Sequence, residues 1–241
     1  MASIASRHPG AKRRRDASRQ SEGMSRAMFA ALSKFYAWLI GRDLVDRSPM
    51  IGLAKPKARA SRARVLSDDE IHTFWTATEA LGEPFAPLFR LLLLTGQRLN
   101  EVAGMRRAEI EGDVWRIPAS RAKNHREQFL PLGALARAII AEAPGDDLVF
   151  STTGRTGFSK AKARLDALMG EVAPWRLHDL RRTMATNLAA LGVAPVVTEK
   201  ALNHVSSVSG GLVGVYQRFD YAAEVRAAVE AWEKRLAEIV G

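Results

Sequence analysis

Hydrophobic residues recur along this chain at the spacing of an α-helix, and two stripes show the pattern most clearly. The first stripe consists of Met28, Leu32, Phe35 and Leu39, and the second of Val225, Val229, Trp232, Leu236 and Ile239. Because each stripe falls on one side of a helix, the pattern predicts helices over residues 24–40 and 222–239. We expect the second helix to dock on a neighbouring protomer or to pack within its own chain.

Further helices are predicted between these two. A capping box at residues 67–70, with Ser67 as the cap and Glu70 reaching back, starts a helix that runs to about residue 80. The next helix begins at residue 83 and ends at Gly96, which is a typical terminator. The remaining helices are predicted over residues 99–105, 134–142, 159–170, 178–191 and 195–202.

The periodicity changes in the middle of the chain, where short β-strands are predicted. They cover residues 109–110, 114–117 and 128–130, with a turn at Gly112-Asp113. The sequence therefore predicts a mainly α fold with a small three-stranded antiparallel sheet. The loop between the second and third strands, residues 120–126, is rich in basic side chains.

Composition narrows the kind of protein. The chain has 241 residues, 47% of them hydrophobic, and no cysteine, which excludes disulfides and thiolate metal sites. Its longest apolar runs, residues 27–32 and 35–40, are too short to span a membrane, and no apolar segment directly follows the basic N-terminus as in a secretory signal. The lack of cysteine fits a protein of the reducing cytoplasm.

Positive charge is concentrated at the N-terminus. Residues 1–65 contain 15 Lys and Arg against 4 Asp and Glu, whereas the rest of the chain contains 21 against 22. Such a block favours a polyanionic partner such as nucleic acid. For Lys12-Arg13-Arg14-Arg15 alone, a solvated basic tail is an equally good interpretation.

The same charge pattern suggests three regions. Residues 1–57 form a basic N-terminal segment, and within it residues 1–20 are predicted to be disordered or ordered only on binding. Residues 58–65 form a basic linker, and residues 66–241 form the main domain. The basic residues around the linker are candidate contacts to a phosphate backbone. They are Lys55, Lys57, Arg59, Arg62 and Arg64.

The residues best suited to chemistry lie between 175 and 216. His178 and Arg181 are three apart and so project from one face of a helix. If His178 opens that helix, both lie where the backbone N–H groups and the helix dipole favour an anion. A helix-capping histidine and a surface arginine are the simpler interpretation. The expected buried stripe of this helix is Leu180, Met184, Leu188 and Leu191.

Other candidates are weaker individually. Arg98 follows Gly96 and has Glu101 three residues on; a surface Arg–Glu pair of little value is the alternative. Lys123 lies in the loop between strands, where a mobile lysine can donate a proton but most lysines are only solvated. His204 also fits the end of a helix. Tyr216 can act as a nucleophile, although an isolated tyrosine usually packs.

In this order, the candidates resemble the motifs of the tyrosine recombinases, the phage integrase family. The resemblance runs from about Val65 to the C-terminus. The segment TGQRLNE at 95–101 resembles the first arginine motif, HDLR at 178–181 the His-x-x-Arg box, and LNH at 202–204 the Leu-x-His box. The segment VYQRFDY at 215–221, with the helix after it, looks closest to integrases of phages, satellites and genomic islands.

The resemblance implies a catalytic domain of that family's fold and a role for each residue. Tyr216, rather than Tyr221, would attack a DNA phosphodiester and form a 3′-phosphotyrosyl link, without metal or ATP. The phosphate would be held by Arg98, Arg181 and His204, with Glu101 in support. His178 would manage the tyrosine's proton, and Lys123 would protonate the 5′-oxygen. Further DNA contacts are expected from Arg121, Arg126 and Arg182.

The region in front departs from the family. Members usually carry a complete helical core-binding domain, whereas here about 55 residues precede the linker and resemble only its end, so we expect a shortened region. The implied partners are double-stranded DNA attachment sites, a homo-tetramer formed on DNA, and DNA-bending or directionality proteins. Three alternatives stay open: a DNA-binding remnant or regulator that no longer recombines, a type IB topoisomerase-like enzyme, and a helical scaffold with chance motifs.

Overall fold

A computed structural model of the chain describes residues 9–58, 63–150, 157–204 and 221–241, with side chains from residue 22 onward. The chain divides into two compact units, Met1–Arg62 and Ala63–Gly241. The boundary falls inside the segment that the charge pattern indicates as a linker. The two units are described separately below.

The first unit is built on one long helix, α1, which spans Pro9–Ile40. The part of this helix before residue 21 was predicted to be disordered or ordered only on binding, whereas the structure is helical from Pro9 onward. Proline fits the first helical position, and the segment after it is rich in Ala, Arg, Lys, Gln and Glu, which are good helix formers. The predicted apolar stripe of α1 is largely exposed, with Met28 at 55% and Phe35 at 52%.

The second unit carries the remaining described helices. They are α2 (Asp68–Leu81), α3 (Phe85–Thr95), α4 (Leu99–Ala103), α5 (Ala134–Glu142), α6 (Phe158–Met169), α7 (Leu177–Ala190), α8 (Pro195–Ala201) and α9 (Ala222–Val240). The predicted helices are all present, with ends that mostly agree within one or two residues. The capping box of α2 is also present, since Glu70 N donates to Ser67 Oγ and Ser67 N donates to Glu70 Oε2.

Helix α3 forms the centre of the hydrophobic core. Every residue from Leu88 to Leu94 except Arg90 is buried, and α2, α5, α7 and α9 pack around them. Burying one such leucine contributes about 1.5–3 kcal/mol to the free energy of folding. The core therefore fixes the C-terminal end of α3, which leads directly to Gly96 and Arg98.

A small sheet lies beside this core. Its strands are β1 (Ile110–Glu111), β2 (Val114–Ile117) and β3 (Gln128–Pro131), joined antiparallel in the order β1-β2-β3. Glu109, predicted as strand, instead ends a 3₁₀ turn over Arg107–Glu109, where its carboxylate accepts a hydrogen bond from Trp115 Nε1 at 3.0 Å. The β2–β3 connection, residues 118–127, is the loop that holds Lys123.

The last helix, α9, packs within its own chain. Trp232 is fully buried and its Nε1 donates to Leu93 O of α3 at 3.1 Å. Glu233 accepts hydrogen bonds from the backbone N–H groups of Leu135 (3.2 Å) and Ala136 (3.0 Å) at the start of α5. Of the two arrangements expected for this helix, the structure thus has the intramolecular one. Within the described ranges, none of the helices is long and apolar enough to cross a membrane.

Candidate active site

Arg181 lies at the centre of the candidate site, and it is buried. Only 7% of the residue is exposed, and its guanidinium donates to Gly96 O at 2.8 Å and to Leu202 O at 2.5 Å. Among the described residues, no carboxylate lies within 4.0 Å of it. Desolvation, with the positive charge of Arg98 second, lowers the pKa of Arg181 from 12.5 to about 10, so it stays cationic at neutral pH. The interpretation of Arg181 as a surface arginine is wrong.

The helix that carries Arg181 buries most of its predicted stripe. Leu180, Met184 and Leu188 are fully buried, and they pack α7 against α3. Leu191 is 42% exposed, contrary to prediction, because α7 ends at Ala190 and Leu191 caps it. Arg181 projects from next to this stripe, so the packing of α7 fixes the guanidinium under the end of α3.

Gly96 makes the close approach between α3, α7 and α8 possible. It ends α3 with a left-handed φ of 61°, which L-residues rarely adopt. A Cβ atom here would lie 2.6 Å from Met184 Sδ and 2.7 Å from Leu202 Cδ2. Both the backbone conformation and the lack of space therefore favour glycine, and its buried carbonyl oxygen is the acceptor for Arg181.

Arg98 is held by Glu101 through two hydrogen bonds. Its backbone N–H donates to Glu101 Oε2 at 2.9 Å and its Nη1 donates to Glu101 Oε1 at 3.0 Å. The Glu101 side chain is 3% exposed, whereas that of Arg98 is 21% exposed. The pair is therefore not a solvent-exposed one: a buried carboxylate orients a guanidinium whose outer edge is accessible. Arg98 lies two residues after Gly96, whose carbonyl oxygen binds Arg181, and the positive charge of Arg98 lowers the pKa of Arg181.

His178 is the second residue of α7, whereas the sequence predicted it as the first. Asp179 caps that turn, since it accepts a hydrogen bond from Arg176 N at 2.8 Å. More than a third of His178 is exposed, yet desolvation by its neighbours lowers its pKa below 6.5, and the charges of Arg182 and Arg181 lower it further. His178 is therefore mainly neutral at neutral pH and can accept a proton.

His204 follows the end of α8 and is exposed at the surface of the site. The C-terminal carbonyls of α8 are fixed from three sides. Gln97 and Gln128 donate to Ala201 O at 2.8 Å and 2.7 Å, and Arg181 donates to Leu202 O. The segment before His204 is therefore positioned by α3, β3 and α7 together.

Lys123 has an exposed side chain on a backbone that is tied down. Its N–H donates to Glu101 Oε1 at 3.3 Å, the same carboxylate that holds Arg98. On the next residue, Asn124 Nδ2 donates to Asn203 O (3.1 Å) and Oδ1 (2.7 Å). The loop was predicted to offer mobility, but the structure instead attaches it to the two segments that carry Arg98 and His204.

The predicted nucleophile, Tyr216, lies outside the described residues. Tyr221 is described: it is partly buried, packs against the hydrophobic core and precedes α9 with a left-handed φ of 59°. Its ring therefore has a packing role.

The predicted DNA contacts divide into three groups. Arg59 and Arg62 lie outside the described residues, while Lys55, Lys57 and Arg126 are exposed. The other three are engaged by carboxylates: Arg64 by Glu70 at 2.5 Å, Arg121 by Glu109 at 2.7 Å and Arg182 by Asp179 at 2.6 Å. The first two hold the fold together, so a phosphate contact is not needed to account for them.

Sequence reasoning missed several residues that position the site. They are Gln97, Asn124, Gln128, Asp179 and Asn203. Gln97 is 2% exposed and Gln128 is 7% exposed, which is unusual for glutamine. A signal existed for Asn203 only: asparagine between a leucine and a histidine at a helix end fits a left-handed backbone. The described residues contain no group of three or more His, Asp or Glu side chains that could hold a metal ion.

Comparison with known proteins places this arrangement in a family. A sequence profile of the phage integrase family matches residues 64–217. The tyrosine recombinase XerC of Mycobacterium bovis (strain BCG / Pasteur 1173P2) is 26% identical over 204 residues, covering 73% of this chain and 67% of that protein.

Two solved structures share the fold. One is a lambda integrase(75-356) dimer bound to a COC′ core site, with a TM-score of 0.62 and 17% identity, covering 79% of this chain and 75% of that one. The other is a lambda integrase tetramer bound to a Holliday junction, with a TM-score of 0.61 and 17% identity, covering 75% and 58%. The predicted fold class, mainly α with a small antiparallel sheet, is confirmed.

The fold and the sequence match together define a tyrosine-type site-specific recombinase, an enzyme of DNA recombination. Since the profile covers more than half of the chain, the chain belongs to the phage integrase family. Its assignment to the branch of phages, satellites and genomic islands stays a prediction.

Proposed function

We propose that this recombinase cuts and rejoins DNA through Tyr216, with the described residues as its phosphate-binding and proton-transfer groups. The phenolic oxygen of Tyr216 attacks the phosphorus of a phosphodiester, and a 3′-phosphotyrosyl bond forms as the bond to the 5′-oxygen breaks. That oxygen leaves as a hydroxyl after it takes a proton. Attack by a 5′-hydroxyl of another strand reverses the step and returns the proton to tyrosine. Because bond energy is kept in the phosphotyrosyl link, the reaction needs no ATP.

The observation that carries the proposal is the buried charge of Arg181. A guanidinium removed from water is costly unless an anion or several hydrogen bonds compensate it. Here two carbonyl oxygens compensate it only in part, and within the described ranges no carboxylate lies within 4.0 Å. A DNA phosphate would supply the missing negative charge. This accounts for a buried guanidinium under the end of α3 that has a second arginine, Arg98, close to it.

The other roles follow from charge and exposure. Arg98, with its outer edge accessible, binds a non-bridging oxygen beside Arg181, and His204 adds a hydrogen bond. These donors stabilise the negative charge that builds on the phosphate in the transition state, and each such donor typically contributes about 100- to 1,000-fold in rate. The charge is neutralised by arginines, so the proposed mechanism requires no metal.

Two groups transfer protons in this mechanism. His178, whose pKa is lowered by desolvation and neighbouring arginines, is neutral and accepts the proton of Tyr216. A tyrosine has a pKa near 10 and needs this assistance at neutral pH. Lys123, exposed and cationic on a fixed backbone, donates a proton to the departing 5′-oxygen. Tyr221 is not used, because its ring packs against the core.

The same proposal covers the partners. The substrate is double-stranded DNA carrying an attachment site, with Lys55, Lys57 and Arg126 among the residues that contact its backbone. Four copies assemble on DNA, by analogy with the lambda integrase tetramer on a Holliday junction. DNA-bending or directionality proteins assist at these sites, and the protein associates with the nucleoid.

A covalent-trapping gel tests the proposal directly. The protein is mixed with nicked duplexes that span candidate attachment sites next to its gene, in EDTA, and denatured in SDS. A nick near the cleavage point releases the short fragment that carries the new 5′-hydroxyl. The fragment diffuses away, so it cannot reverse the reaction and the covalent complex accumulates. We expect a slowly migrating protein–DNA band with the wild type and with Tyr221→Phe, and none with Tyr216→Phe.

The other outcomes are informative. A band that persists in Tyr216→Phe would refute the assignment of the nucleophile. Salt-sensitive DNA binding without any band would instead support the non-recombining DNA-binding protein. A band that forms only without EDTA would contradict the metal-free mechanism.

A further inference from the structure

Two asparagines join the loop of Lys123 to the segment of His204. Asn124 Nδ2 donates to both oxygens of Asn203, at 3.1 Å to the backbone O and at 2.7 Å to Oδ1. In return, Asn203 Nδ2 donates to Arg126 O at 3.2 Å. We call this pair the Asn124–Asn203 clasp. It connects residues 79 positions apart in the sequence.

The backbone explains why an asparagine occupies position 203. Its φ is 47°, in the left-handed region, and its N–H donates to Lys200 O at 3.0 Å as α8 ends. Glycine adopts this conformation most easily, and asparagine is one of the few other residues that tolerate it. Asparagine therefore costs more than glycine at this position, and what it adds is a side chain that bonds the loop.

Each side of the clasp is rigid in its own way. On the loop side, Asn124 Oδ1 also accepts from Arg126 N at 3.2 Å, and His125 takes a left-handed φ of 56° between them. On the α8 side, His204 N donates to Glu199 O at 2.9 Å. The clasp thus ties two defined turns to each other.

A further contact, through Glu101, attaches the loop of Lys123 to the segment of Arg98. Lys123 N donates to Glu101 Oε1, and Glu101 Oε1 also accepts from Arg98 Nη1. Lys123 is therefore flanked by one attachment to the Arg98 segment and one to the His204 segment. The first attachment uses the backbone N–H of Lys123 and the second uses the side chain of Asn124, so neither involves the exposed side chain of Lys123.

We propose that Asn124 and Asn203 are positioning residues for proton donation to the leaving 5′-oxygen. The clasp sets the position of Lys123 relative to His204, so that the proton donor and a phosphate-binding group act on the same phosphodiester. This inference rests on the proposed function, in which Lys123 is the acid. It assigns a task to two residues outside the predicted catalytic set.

The leaving group provides a specific test. A substrate with sulfur in place of the bridging 5′-oxygen expels a thiolate, which needs no proton because thiols are far more acidic than alcohols. Single-turnover cleavage is measured on oxygen and sulfur substrates for wild type, Asn124→Ala, Asn203→Gly and Lys123→Ala. Asn203→Gly is the sharpest variant, since glycine keeps the left-handed backbone and removes only the side chain.

We expect Asn124→Ala and Asn203→Gly to cleave the oxygen substrate about 10- to 100-fold more slowly than wild type, as misplaced catalytic groups do. On the sulfur substrate both should lie within about threefold of wild type. The slowing of the double variant should be smaller than the product of the two single effects, because both changes remove the bond from Asn124 Nδ2 to Asn203 Oδ1. Asn203→Asp keeps the acceptor for Asn124 and should lose less than Asn203→Gly.

Two results would overturn the inference. One is Asn203→Gly cleaving the oxygen substrate at the wild-type rate. The other is equal slowing on both substrates, which would show a general structural defect; melting temperatures of the variants identify that case. Failure of the proposed function looks different: Lys123→Ala would then be unimpaired, or would not recover on the sulfur substrate, and the inference would fall with it.

Discussion

Arg181 and Lys123 are both cations of the same site, but the protein holds them in opposite ways. Arg181 is 7% exposed and its guanidinium is fixed directly, by Gly96 O and Leu202 O under the core helix α3. Lys123 has an exposed side chain, and only its backbone is fixed, through Glu101 and the neighbouring Asn124.

The difference matches the two tasks that we propose. A group that stabilises charge works best when it is already oriented in a dry environment, since no reorganisation is then needed during the reaction. A group that gives away its proton must meet the oxygen and be recharged by water, so exposure suits it. In the proposed mechanism, burial and exposure in one site would therefore separate charge stabilisation from proton transfer.

Substitution of the buried Arg181 should have the largest effect on the rate of cleavage. We expect Arg181→Ala to slow cleavage by about 100- to 1,000-fold or more, because the phosphate loses its innermost donor. DNA binding should be largely retained, since the N-terminal basic segment carries much of the charge. The measurement is single-turnover cleavage of a nicked duplex, with binding followed by mobility shift. Arg98→Ala should behave alike.

Arg116→Ala is a matched control, because that arginine is on the sheet with a side chain 49% exposed. It should cleave normally. Cleavage by Arg181→Ala at the wild-type rate would remove Arg181 from the proposed machinery.

Substitution of the exposed Lys123 should have a somewhat smaller effect on cleavage and no effect on stability. Lys123→Ala should cleave DNA about 100-fold more slowly than wild type, the loss in rate typical of removing a general acid. Its melting temperature should equal that of wild type, because the side chain is exposed. Lys160→Ala, at another exposed lysine, serves as the control. A clear drop in melting temperature for Lys123→Ala would contradict the separation of backbone and side-chain roles.

Gly96 offers a way to disturb the buried side through packing alone. Gly96→Ala should destabilise the protein by about 2–4 kcal/mol, from backbone strain plus overpacking against Met184 and Leu202. Gly112→Ala is a good control, because Gly112 has a similar φ of 62° but nothing within 4 Å of its added Cβ. Urea unfolding of both variants isolates the packing contribution. Equal losses would show that Gly96 is needed for its backbone angle only.

The smallest expected effect is a shift in pH dependence. Cleavage should fall as pH drops through the lowered pKa of His178, below the ordinary value near 6.5, because a protonated His178 cannot accept the tyrosine proton. Arg182→Gln removes a positive neighbour, so the pKa of His178 should rise and the acidic limb should move to higher pH. A single-turnover pH profile measures this. A shift to lower pH would contradict the role of Arg182 in setting that pKa.

The helices show how far the sequence predicts this fold. Periodicity predicted an apolar stripe on both α1 and α9, yet Trp232 of α9 is fully buried whereas Phe35 of α1 is 52% exposed. An apolar stripe shows which face of a helix is able to be buried. What covers it depends on other segments of the chain or on other molecules, and local sequence does not contain that information.

The site follows the same rule. The ordered motifs predicted Arg98, His178, Arg181 and His204 as one site, and the described structure brings their segments together. Asn124, Gln97 and Gln128 were missed because their partners are a backbone carbonyl and an asparagine 73 or more positions away. Such contacts appear only once the helix ends are placed side by side.

The capping of α5 by Glu233 has a consequence for synthesis. Gly133, which precedes α5, has no side chain to cap it, and the carboxylate that does so comes from α9, along with the Trp232 indole that fills the core beside α3. A ribosome makes α9 after every element against which it packs. The unit from Ala63 onward therefore cannot close its core during translation of its first 158 residues, residues 63–220, and must wait until α9 leaves the exit tunnel.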